Sequence, residues 1–287
     1  MTPLLYGVGA AVGWGFADYA GALSTRRLGV FPAMLGMQLT GTVLYAVALA
    51  AVGRFPALSL EQVPLGLVLA ALGLAGLLCF YKALAIGPVA IVSPIGGAYV
   101  AVAVILVVAF LGERLNAGQT VGIAVTTLGI LLTSTDLRSV AAALSRPKRG
   151  VWLALLAMVT FGGWAALMAY ATRTHDGLAM ILVQRMISVA FSLLIVVVLR
   201  RGSRSGIGPV AGGFVLASGL FDTLANVFYV LGVQAGFASI VATGSGVYPV
   251  IPALLGITFL RERLAPNQYL GIAVLVAGLV TLGALGS

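Results

Sequence analysis

Ten stretches of about 20 apolar residues follow one another along this 287-residue chain, with only short polar connections between them. A helix of that length crosses the hydrocarbon core of a bilayer, which is about 30 Å thick. Backbone groups in hydrocarbon must be paired within the span, and runs of this length favour helices over a β-barrel. The predicted fold is therefore all-α and polytopic, with transmembrane helices at 4–23, 31–53, 64–86, 88–111, 117–135, 150–172, 177–199, 209–233, 237–260 and 266–285.

The composition excludes an ordinary soluble protein. Hydrophobic residues make up 61% of the chain and charged residues 8%, which cannot be divided into a core and a wetted surface. A net charge of +9 would suggest nucleic-acid binding in a soluble protein. Here membrane topology and anionic lipid explain the charge, so no nucleic-acid partner is predicted. No Lys or Arg precedes the first span, so we expect no signal peptide.

A block of sequence recurs about 149 residues later without gaps. The matches include Gly87 with Gly236, Tyr99 with Tyr248, Glu113-Arg114-Leu115 with Glu262-Arg263-Leu264, Gln119 with Gln268, and Gly129 with Gly278. Five spans per copy is an odd number, so the second copy enters the membrane from the opposite side. We therefore expect two inverted five-helix repeats, at 1–135 and 150–287, joined by a cytoplasmic linker at 136–149.

The basic residues indicate the orientation, because Lys and Arg in short loops are retained in the cytoplasm. The loops after spans 1, 5, 7 and 9 hold Arg26, Arg27, Arg138, Arg146, Lys148, Arg149, Arg200, Arg201, Arg204, Arg261 and Arg263. The opposite loops hold only Arg54, Arg114 and Arg173. We therefore predict a multi-pass protein of the cytoplasmic (inner) membrane with both termini outside.

Residue types that metal centres and catalytic sites require are scarce. Cys79 is the one cysteine, so neither an intramolecular disulfide nor a Cys-based metal site is available. His175 lies in a loop, where a solvated side chain is the interpretation and pH sensing the open alternative. The sequence has no His-Glu-x-x-His motif, no phosphate-binding glycine loop and no paired aspartates of protease type. We expect no enzyme, no metal and no cofactor.

Four charges fall inside the predicted spans: Asp18, Lys82, Arg185 and Asp222. A charge near the bilayer centre costs about 2.5 to 3.5 kcal/mol on insertion scales, so each should face a cavity or a partner. We predict one pair in each half, Asp18 with Lys82 and Arg185 with Asp222. The alternative is purely structural, since an ion pair satisfies two buried charges and Lys82 can extend to the interface.

Asp222 begins a polar stripe, because Asn226 and Tyr229 follow it at helical spacing. A polar stripe in an apolar span is typical of helices that line water or substrate. Asp18 and Asp222 are the candidates for proton coupling, and the sequence leaves open whether Asp222 binds protons or substrate.

Two tryptophans, Trp14 and Trp164, occupy equivalent places near the middle of the first span of each half. Tryptophan prefers the membrane interface, so a central pair indicates an aromatic cavity wall, with helix packing as the alternative. Gln38 and Gln184 fall at similar depths in the second span of each half and offer amide hydrogen bonds there.

Helix breakers concentrate in the fourth span of each half. Pro88, Pro94, Gly96 and Gly97 interrupt one, and Gly244, Gly246, Pro249 and Pro252 interrupt the other. Discontinuous helices at corresponding places indicate a substrate site and its hinges. Tyr99 and Tyr248 are the matching hydroxyls that we expect beside that site.

These motifs together resemble the drug/metabolite transporter superfamily, in particular its ten-helix EamA-type members. The resemblance covers the whole chain and is carried by these segments: Gly112-Glu113-Arg114-Leu115, Arg261-Glu262-Arg263-Leu264, the Gln-x-x-Gly-Ile-Ala that follows each, Tyr81-Lys82-Ala83-Leu84-Ala85-Ile86-Gly87-Pro88, and the Trp near the start of each copy. It implies that helices 1 to 4 and 6 to 9 surround a central pathway while helices 5 and 10 brace the outside. Glu113 and Glu262 lie at helix ends, so we interpret them as caps or ion-pair partners of neighbouring arginines.

The predicted function is secondary transport of a small polar metabolite, such as an amino acid, by alternating access and in the direction of export. The predicted substrate site comprises Trp14, Gln38, Lys82, Tyr99, Trp164, Arg185, Asp222, Asn226 and Tyr248. The protein is expected to be a monomer or a homodimer, with the lipid bilayer and a small solute as its partners. The alternative is an accessory, flippase-type or sensor protein that transports no soluble solute.

Overall fold

The structure is a computed structural model that describes residues 1–86, 92, 95–135, 137, 149–199, 208–248, 250–251 and 265–285. Within these residues the chain forms ten α-helices and one 3₁₀ turn, Leu60–Gln62. The helices are α1 (Thr2–Leu28), α2 (Val30–Ala51), α3 (Val63–Ile86), α4 (Tyr99–Leu111), α5 (Ala117–Ser134), α6 (Arg149–Thr174), α7 (Gly177–Val198), α8 (Pro209–Ala235), α9 (Ala238–Ser245) and α10 (Pro266–Leu285).

Each predicted span overlaps one of these helices, so the ten-helix prediction is confirmed. Seven helical segments within the described residues are long and apolar enough to cross a membrane. They correspond to α2, α3, α5, α6, α7, α8 and α10. Of the other three, α1 contains Asp18 and ends in Arg26 and Arg27, and the described parts of α4 and α9 are short.

The helix contacts have the pattern of a two-fold repeat. α1 packs on α8 of the other half, and its counterpart α6 packs on α3. Likewise α1 contacts α9 while α6 contacts α4, and α2 contacts α8 while α7 contacts α3. Exchanging the two halves converts each of these contacts into another of them. The halves are therefore interleaved rather than side by side, and any space at the centre is bounded by both.

Helices α5 and α10 pack against each other at the edge of the bundle, as the resemblance implied. Glycines allow the close approach: a Cβ on Gly122 would lie 2.7 Å from Leu282, and one on Gly129 would lie 2.6 Å from the Cβ of Leu275. The repeated glutamine of the Gln-x-x-Gly-Ile-Ala motif caps these helices. Gln119 Oε1 accepts from the N–H of Asn116 at 3.0 Å, and Gln268 Oε1 accepts from the N–H of Ala265 at 2.8 Å.

The predicted interruptions of the fourth helices are present where the structure describes them. Before α4, the N–H of Ala98 bonds to the carbonyl of Ile95 and a turn precedes Tyr99. After α9, the chain turns at 246–248 with bonds spaced by three residues, such as Tyr248 N–H to Ser245 O at 3.3 Å. Gly96, Gly97, Gly244 and Gly246 lie in or next to these segments, whereas Pro88, Pro94, Pro249 and Pro252 lie outside the described residues.

Candidate functional site

A cavity of about 140 Å³ lies at the centre of the bundle. Every helix predicted to surround the pathway contributes to its wall, and none of the lining residues belongs to α5 or α10. The lining residues are Trp14, Asp18, Met37, Gln38, Gly73, Leu77, Phe80, Tyr99, Phe161, Trp164, Gln184, Arg185, Asp222, Asn226 and Tyr248. The two tryptophans, the two tyrosines and three of the four intramembrane charges predicted from sequence therefore meet in one place.

Arg185 and Asp222 form an ion pair across the cavity wall. Nη2 of Arg185 donates to Oδ2 of Asp222 at 2.5 Å, so the predicted pairing of these two residues is confirmed. The Arg185 side chain is only 2% exposed, and neither Nε nor Nη1 has a hydrogen-bond partner among the described residues. A buried guanidinium with unused donors is suited to receive an anionic oxygen.

A glycine in α2 makes room for this guanidinium. A Cβ placed on Gly41 would lie 2.6 Å from Nη1 of Arg185 and 2.8 Å from Oγ1 of Thr223. Both distances are below ordinary van der Waals contact, so no larger residue fits beside the arginine without displacing it. Thr223 itself bonds back to the carbonyl of Gly219 at 2.7 Å and does not compete for the arginine.

Asp18 faces the same cavity without a counter-ion. Its carboxylate makes no hydrogen bond or ion pair with any described residue, and the neighbouring charge that acts on it is Asp222. With Arg185 balanced by Asp222, Asp18 is therefore the one carboxylate in the cavity wall that lacks a counter-ion among the described residues. Such a group can receive a cation or a proton.

The predicted pair of Asp18 with Lys82 is wrong. Lys82 is exposed and does not line the cavity. The residues of α3 that face the cavity are Gly73, Leu77 and Phe80, which follow helical spacing. Lys82 lies two residues beyond Phe80, about 200° around the helix, so its side chain leaves on the opposite face. The structure therefore gives no support to its assignment to the substrate site.

Aromatic rings form much of the wall. Trp14 meets Trp164 edge to face with ring centroids 5.8 Å apart, and both rings contact Tyr229. Trp164 Nε1 donates to Oε1 of Gln184 at 3.1 Å, which fixes both side chains. The indole of Trp14 has no such partner among the described residues. Trp164 thus has a side-chain hydrogen bond that its repeat equivalent, Trp14, lacks among the described residues.

The two predicted tyrosines meet at the helix interruptions. Tyr99 and Tyr248 have ring centroids 6.1 Å apart, and the Tyr99 hydroxyl lies 3.0 Å from Oγ of Ser245. Both tyrosines line the cavity, one from each half. The interrupted segments therefore bring the ends of α4 and α9 together at the cavity.

The polar stripe of α8 is only partly in the site. Asn226 lines the cavity and donates to the carbonyl of Asp222 at 2.6 Å. Tyr229 does not line the cavity, is fully buried and donates to the carbonyl of Ala165 at 2.9 Å. Its hydroxyl satisfies a backbone group of α6, so its role is structural.

Sequence reasoning missed the apolar part of the wall. Met37, Leu77, Phe80 and Phe161 line the cavity but look like ordinary span residues. Only the spacing of Phe161 one turn before Trp164 could have indicated it. Among the described residues, no group of three or more His, Cys, Asp or Glu side chains is placed to hold a metal ion.

Comparisons with known proteins agree with this architecture. A solved structure titled "Crystal structure of protein" is 17% identical, with a TM-score of 0.79, and the match covers 99% of this chain and 96% of that chain. At that identity the likeness shows the fold alone. No curated protein matches the chain. The EamA-like transporter family model matches residues 1–135 and again 148–284. The chain therefore belongs to the EamA-like transporter family and is a multi-pass membrane transporter of the drug/metabolite transporter superfamily.

Proposed function

We propose that this transporter exports a small zwitterionic metabolite, such as an amino acid, by alternating access across the cytoplasmic membrane. One observation carries the proposal. A central cavity brings together two groups that lack full partners among the described residues: the guanidinium of Arg185, with two unused donors, and the carboxylate of Asp18. A zwitterion presents one group to each of these charges.

The size of the cavity fits such a solute. A cavity needs about 10–15 Å³ to hold one water molecule. The cavity of about 140 Å³ therefore holds about ten waters or a solute of about ten non-hydrogen atoms. A typical amino acid falls in that range. Larger drugs would require the walls to move.

In our proposal, the charged residues of the cavity bind different groups of the substrate. The substrate carboxylate binds Nε and Nη1 of Arg185, while Asp222 holds Nη2 and keeps the guanidinium oriented. The substrate ammonium binds Asp18, and the aromatic rings of Trp14 and Trp164 contact the substrate side chain. Gln38 and Asn226 offer further hydrogen bonds from the same wall.

Asp18 is also the group that we propose for proton coupling, ahead of Asp222. Asp222 is already engaged by Arg185, whereas Asp18 has no cationic partner among the described residues. A proton and a substrate ammonium would then compete for one carboxylate, and this competition couples their movements. Replacing Asp18 with Asn should leave binding of a carboxylate intact while removing the dependence of flux on a pH gradient.

Alternating access is supported by the interleaving of the two halves. Because α1 packs on α8 and α6 packs on α3, a rearrangement of one half relative to the other must reshape the cavity. The orientation proposed from the basic residues puts both termini outside the cell.

The test uses one amino acid and its two matched fragments. Leucine, isoamylamine, which lacks the carboxylate, and 4-methylvalerate, which lacks the ammonium, are added to purified protein, and the melting temperature is measured. Leucine should raise it most. Arg185→Met should abolish the response to 4-methylvalerate, and Asp18→Asn the response to isoamylamine.

Lys82→Met is the control, because Lys82 is exposed and outside the cavity. A leucine response that survives both cavity substitutions contradicts the proposed site. If no soluble solute in a wider panel of amino acids raises the melting temperature and lipids do, the accessory or flippase-type function replaces solute transport.

A further inference from the structure

Glu113 has more partners than its place at a helix end requires. Its side chain is 2% exposed and forms an ion pair with Arg173, at the end of α6. Oε1 also accepts from the N–H of Ala238 at 2.6 Å. Oε2 accepts from the N–H of Ser239 at 3.0 Å and from its hydroxyl at 2.6 Å. One carboxylate therefore joins α4, α6 and α9.

The backbone turn at Gly112 directs the carboxylate to this place. Gly112 ends α4 with φ 67°, in the left-handed region that glycine adopts without strain. The next residue, Glu113, then turns back toward the start of α9. The interpretation of Glu113 as a helix cap is confirmed, although its ion-pair partner is Arg173 and not the adjacent Arg114.

Helix α9 depends on this external cap. Its own N-cap residue, Phe237, has no side-chain oxygen to accept from the first N–H groups. Those donors would otherwise be buried without partners, since Ala238 and Ser239 are both 0% exposed. A carboxylate from another helix satisfies them and complements the helix dipole.

The cap lies at the far end of the α4–α9 contact from the cavity. Tyr99 meets Ser245 at the cavity, and Glu113 meets Ala238, which lies seven residues from Ser245 along α9, about 10 Å at 1.5 Å per residue. Between these two points, buried Ala103, Val107 and Ala242 fill the space. The contact between α4 and α9 is therefore packed between the cavity and Glu113.

The residue that matches Glu113 in the second repeat is Glu262. Because the repeats are inverted, the sequence predicts Glu262 at the opposite end of the bundle. The residues that match Ala238 and Ser239 in the repeat are Val89 and Ala90. Alanine has no hydroxyl, so the sequence offers Glu262 no donor equivalent to Ser239. Glu262, Val89 and Ala90 lie outside the described residues. The sequence alone thus provides two related carboxylates with unequal sets of donors.

We propose that Glu113 is the latch of one gate: it holds its end of the transporter closed and must release Arg173 and α9 when that end opens. The inference rests on the proposed alternating access. In this scheme Glu113 is a positioning residue that sets which end of the cavity is open, and it does not touch the substrate.

Cysteine labelling tests the latch without a substrate. In a Cys79→Ser background, Ala169→Cys reports on the latched end, because Ala169 is 0% exposed and one turn from Arg173 on α6. Ala83→Cys reports on the opposite end, where Ala83 is 0% exposed and packs with Ala154 near the start of α6. The probe is a charged methanethiosulfonate, and the rate is followed by mass spectrometry.

Glu113→Gln should raise the labelling rate of the Ala169 reporter at least tenfold and leave that of the Ala83 reporter unchanged. Ser239→Ala removes one donor and keeps the ion pair, so a smaller rise of about threefold is expected. Glu61→Gln is the matched control, since Glu61 is an exposed carboxylate that forms no ion pair with a described residue.

Unchanged labelling of the Ala169 reporter in folded Glu113→Gln overturns the proposal. An equal rise at both reporters also overturns it, because that is the behaviour of a general structural cap. If Glu113→Gln does not fold, Ser239→Ala decides: no rise there contradicts the latch. These outcomes are independent of the ligand panel, so the latch and the proposed substrate can fail separately.

Discussion

Removing the charge of Asp222 should cost more stability while Arg185 keeps its charge than when the charge of Arg185 is removed as well. Arg185 is 2% exposed, and its one hydrogen bond within the described residues is the 2.5 Å contact to Asp222. Breaking a buried ion pair by removing one partner costs about 3–5 kcal/mol. Asp222 is 19% exposed and borders the cavity, so we expect about 3 kcal/mol for Asp222→Asn.

The reverse substitution is milder. Arg185→Met leaves a carboxylate that borders a polar cavity, and we expect a cost of about 1.5 kcal/mol. The double variant has no unpaired charge, so its cost should be about 2 kcal/mol rather than the sum of the two. The resulting coupling energy is about 2.5 kcal/mol.

The free energy of unfolding of the four proteins can be measured by SDS titration in mixed micelles, followed by circular dichroism. A double variant whose loss equals the sum of the single losses, within about 0.5 kcal/mol, would refute the reasoning. So would an Asp222→Asn protein as stable as the parent. Either result would mean that water, and not Asp222, compensates the guanidinium.

Three further predictions concern two residues at the cavity wall and Lys82, which lies outside it. Gly41→Ala should displace the adjacent guanidinium and weaken binding of a carboxylate at least tenfold in a thermal-shift titration. Gly213→Ala, whose added Cβ meets nothing within 4 Å among the described residues, should not. Trp164→Phe keeps an aromatic ring but loses a 3.1 Å hydrogen bond to Gln184, so the free energy of unfolding in SDS titration should fall by about 1 kcal/mol, whereas Trp14→Phe should lose less. Lys82→Ala should leave the affinity unchanged, and a loss there would contradict the assignment of its side chain to the outer face.

The helices were predictable because few backbone structures pair all their polar groups inside the hydrocarbon core of a membrane. Apolar runs of membrane-spanning length predict the number of helices, and the repeat shows which helix of the first half corresponds to which helix of the second. The interruptions next to Tyr99 and Tyr248 followed from glycines and prolines at matching places. The repeat did not predict the interleaving of the halves, in which α1 packs mainly on α8 of the other half.

The charged site was predictable in part. Arg185 and Asp222 were expected to pair because isolated charges are costly in a membrane, and they do. The same rule failed for Lys82, because it does not say which way a side chain points. Helical spacing puts Lys82 on the other face only once the structure shows that Leu77 and Phe80 face the cavity.

Contacts between distant helices were the least predictable. Glu113 was expected near Arg114, its neighbour in sequence, yet it pairs with Arg173 and caps α9. Tyr229 belongs to a polar stripe in sequence, yet its hydroxyl bonds to a carbonyl of α6. Tertiary packing decides which partner satisfies a buried polar group, and the periodicity of the sequence does not predict that partner.

Counterflow in proteoliposomes tests the central claim most directly. Vesicles loaded with unlabelled leucine are diluted into a trace of radiolabelled leucine, and uptake is compared for the parent protein, Arg185→Met and Lys82→Met. We predict accumulation of label by the parent and by Lys82→Met, and none by Arg185→Met. Accumulation by Arg185→Met at the parental rate would contradict the proposed role of the buried guanidinium in binding the substrate.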